Sequence, residues 1–213
     1  MTRGAGPASV LAGRVDEVAP RLLGARIASW VDTSPVALRV VEVEAYGGED
    51  DPASHACRGA TGRNLAMFAE PGTAYVYFSY GVHWCLNVTV GPAGRAGAVL
   101  LRAGEVVTGI EVARDRRTPP SGRPPRDRDL ARGPGRLTQA LGVSRVHDGT
   151  DLLDGGSVVR LTLPDVAVAE YLCGPRVGIN RAADRPWRFW LPDEPAVSAY
   201  RGGTGTRGER SER

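Results

Sequence analysis

Tyr75-Val76-Tyr77-Phe78-Ser79-Tyr80-Gly81-Val82-His83-Trp84-Cys85-Leu86-Asn87-Val88-Thr89-Val90 places two β-branched and aromatic runs on either side of one glycine. Such runs favour a pleated, half-buried surface, and a glycine between them supplies the positive φ that a tight turn needs. The stretch predicts an antiparallel hairpin, Tyr75–Tyr80 against Val82–Val90. A second hairpin is predicted upstream. The apolar run Arg26–Val31 stops at the turn signal Asp32-Thr33-Ser34-Pro35, and Ala37–Tyr46 reads as its return strand. Gly97–Ala103, Val158–Leu163 and Arg188–Leu191 add short strands. Asp16–Leu23 forms a short helix that Pro20 interrupts or starts, and Gly133–Val143 forms one after its Gly-Pro opening. Gly47–Arg63 is polar and glycine-rich, a long loop. Thr118–Arg128 is rich in Pro and Arg and reads as a mobile loop. The expectation is a mixed α+β single domain over residues 15–192. It has a curved, mostly antiparallel sheet, peripheral helices and a protruding aromatic β-hairpin. Loose ends are expected over residues 1–14 and 193–213.

At 213 residues, 42% of them hydrophobic, the chain can bury a sizeable core. No apolar run is long enough for a membrane span, and the opening residues do not read as a signal peptide. Cys57, Cys85 and Cys173 are odd in number and widely spaced, which suits a reduced cytoplasmic protein. No pair has metal-ligand spacing, so neither metal nor cofactor is expected. Net charge is +3, but it is uneven. Arg102–Arg136 carries nine arginines against five acids, which suits either a phosphate backbone or a solvated loop. All 27 basic residues are arginine; the chain has no lysine.

Strand alternation puts Val36, Leu38, Val40, Glu42, Glu44 and Tyr46 on one face. An apolar face ending in two carboxylates and a tyrosine fits an acid/base site; it also fits a strand emerging into solvent. His55 follows Glu44 by eleven residues and could complete such a site. The aromatics Tyr75, Tyr77, Phe78 and Tyr80 offer flat faces for a base to stack on, or else form cross-strand pairs. Asn87, on the face of His83 and Cys85, is either a hydrogen-bond anchor or a selectivity contact. Arg102 is a strand-end surface residue or a pocket cation.

Together these segments resemble the alkyladenine (3-methyladenine) DNA glycosylases. The likeness rests on Val43-Glu44-Ala45-Tyr46-Gly47, Ser54-His55, Arg63-Asn64-Leu65-Ala66-Met67-Phe68, Pro71-Gly72-Thr73-Ala74-Tyr75-Val76-Tyr77, Tyr80-Gly81 and Cys85-Leu86-Asn87. It continues through Val99-Leu100-Leu101-Arg102-Ala103, Gly133-Pro134-Gly135-Arg136-Leu137, Gln139-Ala140-Leu141 and Arg176-Val177-Gly178-Ile179. It spans about Val15 to Leu191. The resemblance implies a monomeric base-excision repair hydrolase of double-stranded DNA in the bacterial cytoplasm or nucleoid. Such an enzyme flips an alkylated or deaminated purine from the duplex and hydrolyses its N-glycosidic bond. By position, Glu44 is implied as the general base and Arg102 as its partner in holding water. Tyr46, His55 and Tyr77 are implied to enclose the base, and Asn87 to reject guanine. Tyr80 is implied as the wedge that replaces the flipped nucleotide, with Met67, His83 and Arg136 at the DNA. His83 departs from the tyrosine of the mammalian enzyme, and the Arg-rich loop 118–128 has little similarity. Two other readings are a non-catalytic nucleic-acid-binding module, which would not need Glu44, and a small-molecule nucleosidase, which would not need Tyr80.

Glycosylases that also nick DNA form a Schiff base through an amine, and this chain carries no lysine side chain. Excision is therefore expected to leave intact strands with abasic sites until alkali is added. Borohydride trapping of a protein–DNA adduct is the check, and a trapped adduct would contradict the expectation.

Overall fold

The computed structural model describes residues 6–32, 34–120 and 122–203. Thr33 in the first turn, Ser121 in the Arg-rich loop and the expected loose ends 1–5 and 204–213 lie outside the described residues. The fold is a single α+β domain with a curled antiparallel sheet and few helices. Its strands are β1 (Arg26–Ser29), β2 (Val36–Tyr46), β3 (Ala74–Ser79), β4 (His83–Thr89), β5 (Ala98–Thr108), β6 (Val159–Thr162), β7 (Leu172–Gly174) and β8 (Arg188–Trp190). The main path runs β3-β4-β5-β2-β1-β6, while β8 pairs with β2 and β7.

β2 is the organising strand. Its first half, Val36–Arg39, pairs with β1, whereas Glu42–Glu44 pairs with β8; β5 runs along its other edge. The change of partner coincides with a bulge. Val40 faces Gly104 and Glu42 faces Ala103, so Val41 is the extra residue. This corrects the expected alternation. Before the bulge Val36, Leu38 and Val40 point into the main core, but after it Val43 and Ala45 do. Glu42, Glu44 and Tyr46 are therefore not a continuation of the apolar face. One extra residue turns them to the opposite side of the sheet.

The same division holds across the neighbouring strands. Ala74, Val76, Leu86, Val88, Val99 and Leu101 enter the core. Tyr75, Tyr77, Cys85, Asn87, Leu100 and Arg102 alternate with them and line a cleft on the other face.

Two helices were not apparent in the sequence. α1 (Pro7–Leu11) lies in the stretch expected to be loose, and its Leu11 is fully buried in the core. α2 (Val15–Val18) runs into a 3-10 turn over Ala19–Leu22 at Pro20, as the break signal implied. α3 (Ile110–Arg117) buries only Ala113 and so has almost no apolar stripe to read. α4 (Pro134–Leu141) starts at the Gly-Pro signal and buries Leu137, Ala140 and Leu141. Within the expected mobile loop, Asp127–Asp129 forms a 3-10 turn, and Asp127 pairs with Arg114 of α3 at 2.7 Å. Residues 193–198, also expected to be loose, are tied down. Ala196 is buried against Val41 and Ala103, and Glu194 pairs with Arg39 at 2.6 Å.

The β3–β4 connection is the three residues Tyr80–Val82, since Ser79 faces His83 across the hairpin. Tyr80 and Gly81 have φ of 48° and 67°, and the Val82 amide donates to the Ser79 carbonyl at 2.9 Å. These are the marks of a type I′ turn, whose twist matches the flanking strands. Gly81 adopts this conformation without strain. Tyr80 does not: a bulky residue in the left-handed region costs about 1–2 kcal/mol. Its side chain recovers nothing from packing, being 91% exposed. Tyr80→Asn is expected to stabilise the fold by about 1 kcal/mol and raise Tm by about 2–4 °C. Calorimetry that finds Tm unchanged or lowered would show that no strain is stored there.

Candidate active site

The cleft has a volume of about 1400 Å³, and its wall carries Glu44, Tyr46, His55, Tyr77, Asn87 and Arg102 together. Five sequence segments supply these six residues, and the alternation of β2, β3, β4 and β5 aims five of them at one space.

Glu44 and Glu42 are both fully buried. An unpaired carboxylate cannot persist there, and neither of these is unpaired. One Glu44 oxygen accepts the Val177 backbone N–H at 2.7 Å, and the other accepts the Tyr46 hydroxyl at 2.8 Å. The Arg102 guanidinium lies 3.5 Å from Glu44 and 3.0 Å from Glu42. Burial pushes the Glu44 carboxyl above its ordinary range; Arg102, Val177 N–H and the Tyr46 hydroxyl hold the rise in check. The hydrated-strand alternative fails at this point, because neither carboxylate reaches solvent.

Tyr46 and Tyr77 each have one ring face backed by protein. Arg176 lies over Tyr46 at 4.7 Å from the ring centroid. His55 meets Tyr77 edge-on at 4.5 Å, and Tyr75 lies tilted against Tyr77 at 5.4 Å. The His55 Nδ1 is hydrogen-bonded to the Tyr75 hydroxyl at 2.9 Å, and the surrounding protein lowers its pKa by desolvation, favouring neutral imidazole. Asn87 donates from Nδ2 to the Tyr75 carbonyl at 2.9 Å, so it anchors the backbone while lining the cleft. Beside it the Cys85 thiol is pushed up to about 11, chiefly by burial, and is a neutral wall group.

The expected DNA contacts divide. Tyr80 stands at the hairpin tip and Arg136 is exposed on the cleft rim. Met67 is 1% exposed, packs with Ala56, Tyr75 and Ala98, and lines the cleft from its floor. His83 packs against α4: a Cβ at Gly135 would sit 2.5 Å from its ring, so the glycine is what lets the hairpin base approach the helix.

The basic stretch Arg102–Arg136 also divides. Arg102 serves the buried carboxylates, Arg114 pairs with Glu111 and Asp127, and Arg116 donates to the Val31 and Ala140 carbonyls. Arg117, Arg132 and Arg136 remain on the cleft wall, joined there by Arg63, Arg145 and Arg201 from elsewhere in the chain.

Other functional neighbours carried no signal of their own in the sequence. Arg176 is buried, donates to both Asp51 oxygens at 2.6 and 2.9 Å and to the Ala45 carbonyl at 2.9 Å, and stacks between Tyr46 and Trp187. Arg176 and Val177 fall inside one of the family-like blocks, but nothing in the composition marks either as reaching the cleft. Burial alone would raise the Asp51 pKa, yet Arg176, together with the Ala53 and Gly47 backbone N–H groups, outweighs it and holds the carboxyl below its ordinary range. The pair's stabilisation is thus present above the ordinary carboxylate range and is lost as pH falls through the lowered value. Asp51→Asn leaves Arg176 as an uncompensated buried charge and should cost about 3–5 kcal/mol. Chemical denaturation measures this, and a loss under about 1 kcal/mol would show that the Arg176 charge is otherwise accommodated.

Residues 9–195 match the family profile of the methylpurine-DNA glycosylases. Several bacterial relatives carry the name "Putative 3-methyladenine DNA glycosylase". One from Nocardia farcinica is 56% identical over 189 residues, covering 86% of this chain and 85% of its own. One from Mycobacterium tuberculosis is 50% identical over 194 residues, covering 88% and 91%. A third, from Streptomyces avermitilis, is 48% identical over 194 residues, covering 90% and 89%. With most of its length matched by the profile and by relatives at this identity, the chain belongs to the methylpurine-DNA glycosylase family.

Proposed function

We propose that this protein hydrolyses the N-glycosidic bond of a damaged purine flipped out of duplex DNA, acting as a monomer and leaving an unbroken strand with an abasic site. The observation that carries the reading is the setting of Glu44. It is a fully buried carboxylate on the wall of an aromatic cleft, oriented by the Val177 N–H and the Tyr46 hydroxyl beside an arginine.

A purine in the stack is out of reach of a carboxylate inside a cleft. Extrusion costs a few kcal/mol, least for a damaged or mismatched pair. Tyr80 is suited to fill the vacancy: it is 91% exposed and held forward by a tight turn. The rim arginines Arg63, Arg136, Arg145 and Arg201 suit the flanking phosphates. Inside, Tyr46 and Tyr77 offer ring faces to the base. A purine nucleotide methylated at N3 or N7 is cationic, and each such contact contributes about 0.5–2 kcal/mol. Asp51 neutralises Arg176 behind Tyr46, which keeps that ring receptive to a second cation. As the glycosidic bond breaks, positive charge develops on the sugar. Ionised Glu44 stabilises that charge and takes the proton of the attacking water. Asn87 is suited to exclude an added exocyclic amine from the base floor.

A nucleosidase acting on free nucleosides would use neither the hairpin tip nor the arginine rim, so both features favour a polymeric substrate.

Since the base must be ionised and burial raises its pKa, excision should fall as pH drops through a value above the ordinary glutamate range of about 4.3. Glu44→Gln should keep DNA binding and slow single-turnover excision of methylated purines by roughly 10²–10⁴-fold, with the acid limb abolished. Excision within about threefold of wild type would remove Glu44 from the reaction.

A further inference from the structure

Glu42 is two residues from Glu44 on the same side of β2, yet it does not line the cleft. It is as deeply buried as Glu44 and is the most heavily hydrogen-bonded carboxylate of the pair. Arg188 of β8 donates Nε to it at 2.7 Å. Ser198 donates its backbone N–H at 2.7 Å and its hydroxyl at 2.9 Å. The Arg102 Nε lies 3.0 Å away. We propose that Glu42 is a positioning residue: it draws the Arg102 guanidinium off Glu44 and thereby keeps Glu44 a competent base.

The inference rests on Glu44 being the general base, and the geometry carries it from there. Arg102 stands between two carboxylates and is shared unequally. Its Nε lies 3.0 Å from Glu42 and donates to the Ser198 hydroxyl at 3.2 Å, itself bonded to Glu42, whereas Glu44 is 3.5 Å away, beyond a good N–H···O contact. With no competitor, a buried arginine next to a buried carboxylate closes into a short bidentate pair. That pair would occupy the oxygen that must accept a proton from water, and it would lower the basicity of Glu44. Glu42 prevents the collapse, and it can do so only because Arg188 and Ser198 hold it fixed. Arg188 also donates to the Ser198 carbonyl at 2.8 Å, so β8 and the segment after it form one clamp on Glu42. The four charged groups, Glu42, Glu44, Arg102 and Arg188, sum to zero.

The groups that face Glu44 are few. They are Glu42 and Tyr46 on its own strand, Arg102 on β5, Tyr77 on β3, Cys85 on β4 and the Val177 N–H. Tyr46, Tyr77 and Cys85 stay protonated at neutral pH, since burial pushes each of them up. The charged neighbours of Glu44 are therefore Arg102, which favours its ionised form, and Glu42, which opposes it.

Two variants shift this balance in opposite directions. Glu42→Gln removes the competing charge, so Arg102 closes on Glu44. Arg188→Gln leaves Arg102 as the cation beside Glu42, so Arg102 is drawn further from Glu44. The assay is single-turnover release of methylpurines from duplex DNA methylated in vitro, followed as a function of pH. These bases carry a fixed positive charge, so their own protonation does not shape the profile. Glu42→Gln should lower the plateau rate roughly 10- to 100-fold and move the acid limb down by about half a pH unit or more. Arg188→Gln should move the limb up by a similar amount. A purely structural role would lower the plateau of both variants and leave the limb in place, and that result overturns the proposal. So does a wild-type profile for Glu42→Gln. If Glu42→Gln does not fold, the upward limb of Arg188→Gln decides. If the wild-type protein releases no methylpurine, the glycosylase reading itself fails; if it does and the limbs do not move, only the role of Glu42 fails.

Discussion

Two carboxylates at complete burial are the constraint on which the rest of this structure turns. Isolated, either would cost many kcal/mol or would have to take up a proton. The fold supplies Arg102 from β5 and Arg188 from β8, one backbone N–H from the Arg176–Gly178 region and another from Ser198. These donors come from segments far apart in sequence, so the site exists only once the chain has closed. Satisfying Glu42 accounts for β8 pairing with the second half of β2 and for residues 194–198 lying down beside it. Satisfying Glu44 brings Val177 and, next to it, Arg176 against Tyr46.

The bulge at Val41 makes this arrangement compatible with a core. Without it, Glu42 and Glu44 would share the side of Val36, Leu38 and Val40 and would point among leucines and valines. One inserted residue exchanges the two faces midway along β2, so a single strand contributes apolar side chains to the core at both ends and, at one end only, polar ones to the opposite side, where Glu44 and Tyr46 line the cleft. β3 and β4 need no such device, since their regular alternation already gives a core side and a cleft side; β5 is irregular opposite the bulge, where Arg102 is left without a partner on β2.

Much of this was legible in the sequence. The tight turn at Tyr80-Gly81, the turn after Val31 and the Gly-Pro start of α4 are local signals, and each marks a real element. Glu44, Tyr46, His55, Tyr77, Asn87 and Arg102 were picked out by residue type and family likeness, and they line one cleft. What escaped is not local. The bulge leaves no mark in the composition of β2. α1 and residues 193–198 look like loose ends because their glycines, alanines and prolines show no periodicity; Leu11 and Ala196 are held by contacts made elsewhere in the fold. Ser198 acts through its backbone as well as its hydroxyl, and a backbone donor has no sequence signature.

The turn at Tyr80 has a further consequence for how such a protein meets a long polymer. A connection of three residues, closed by its own hydrogen bond, has little slack with which to retract or reshape. The tip is a fixed prow. It spends no ordering entropy when it meets a surface, and it cannot adapt to one. All the deformation must then be borne by the other party. A duplex that yields easily at the point of contact admits the prow at little cost, and a stiff, well-stacked duplex turns it away. On the proposed reading, damage would first be sensed as local softness, before any base has been inspected in the cleft.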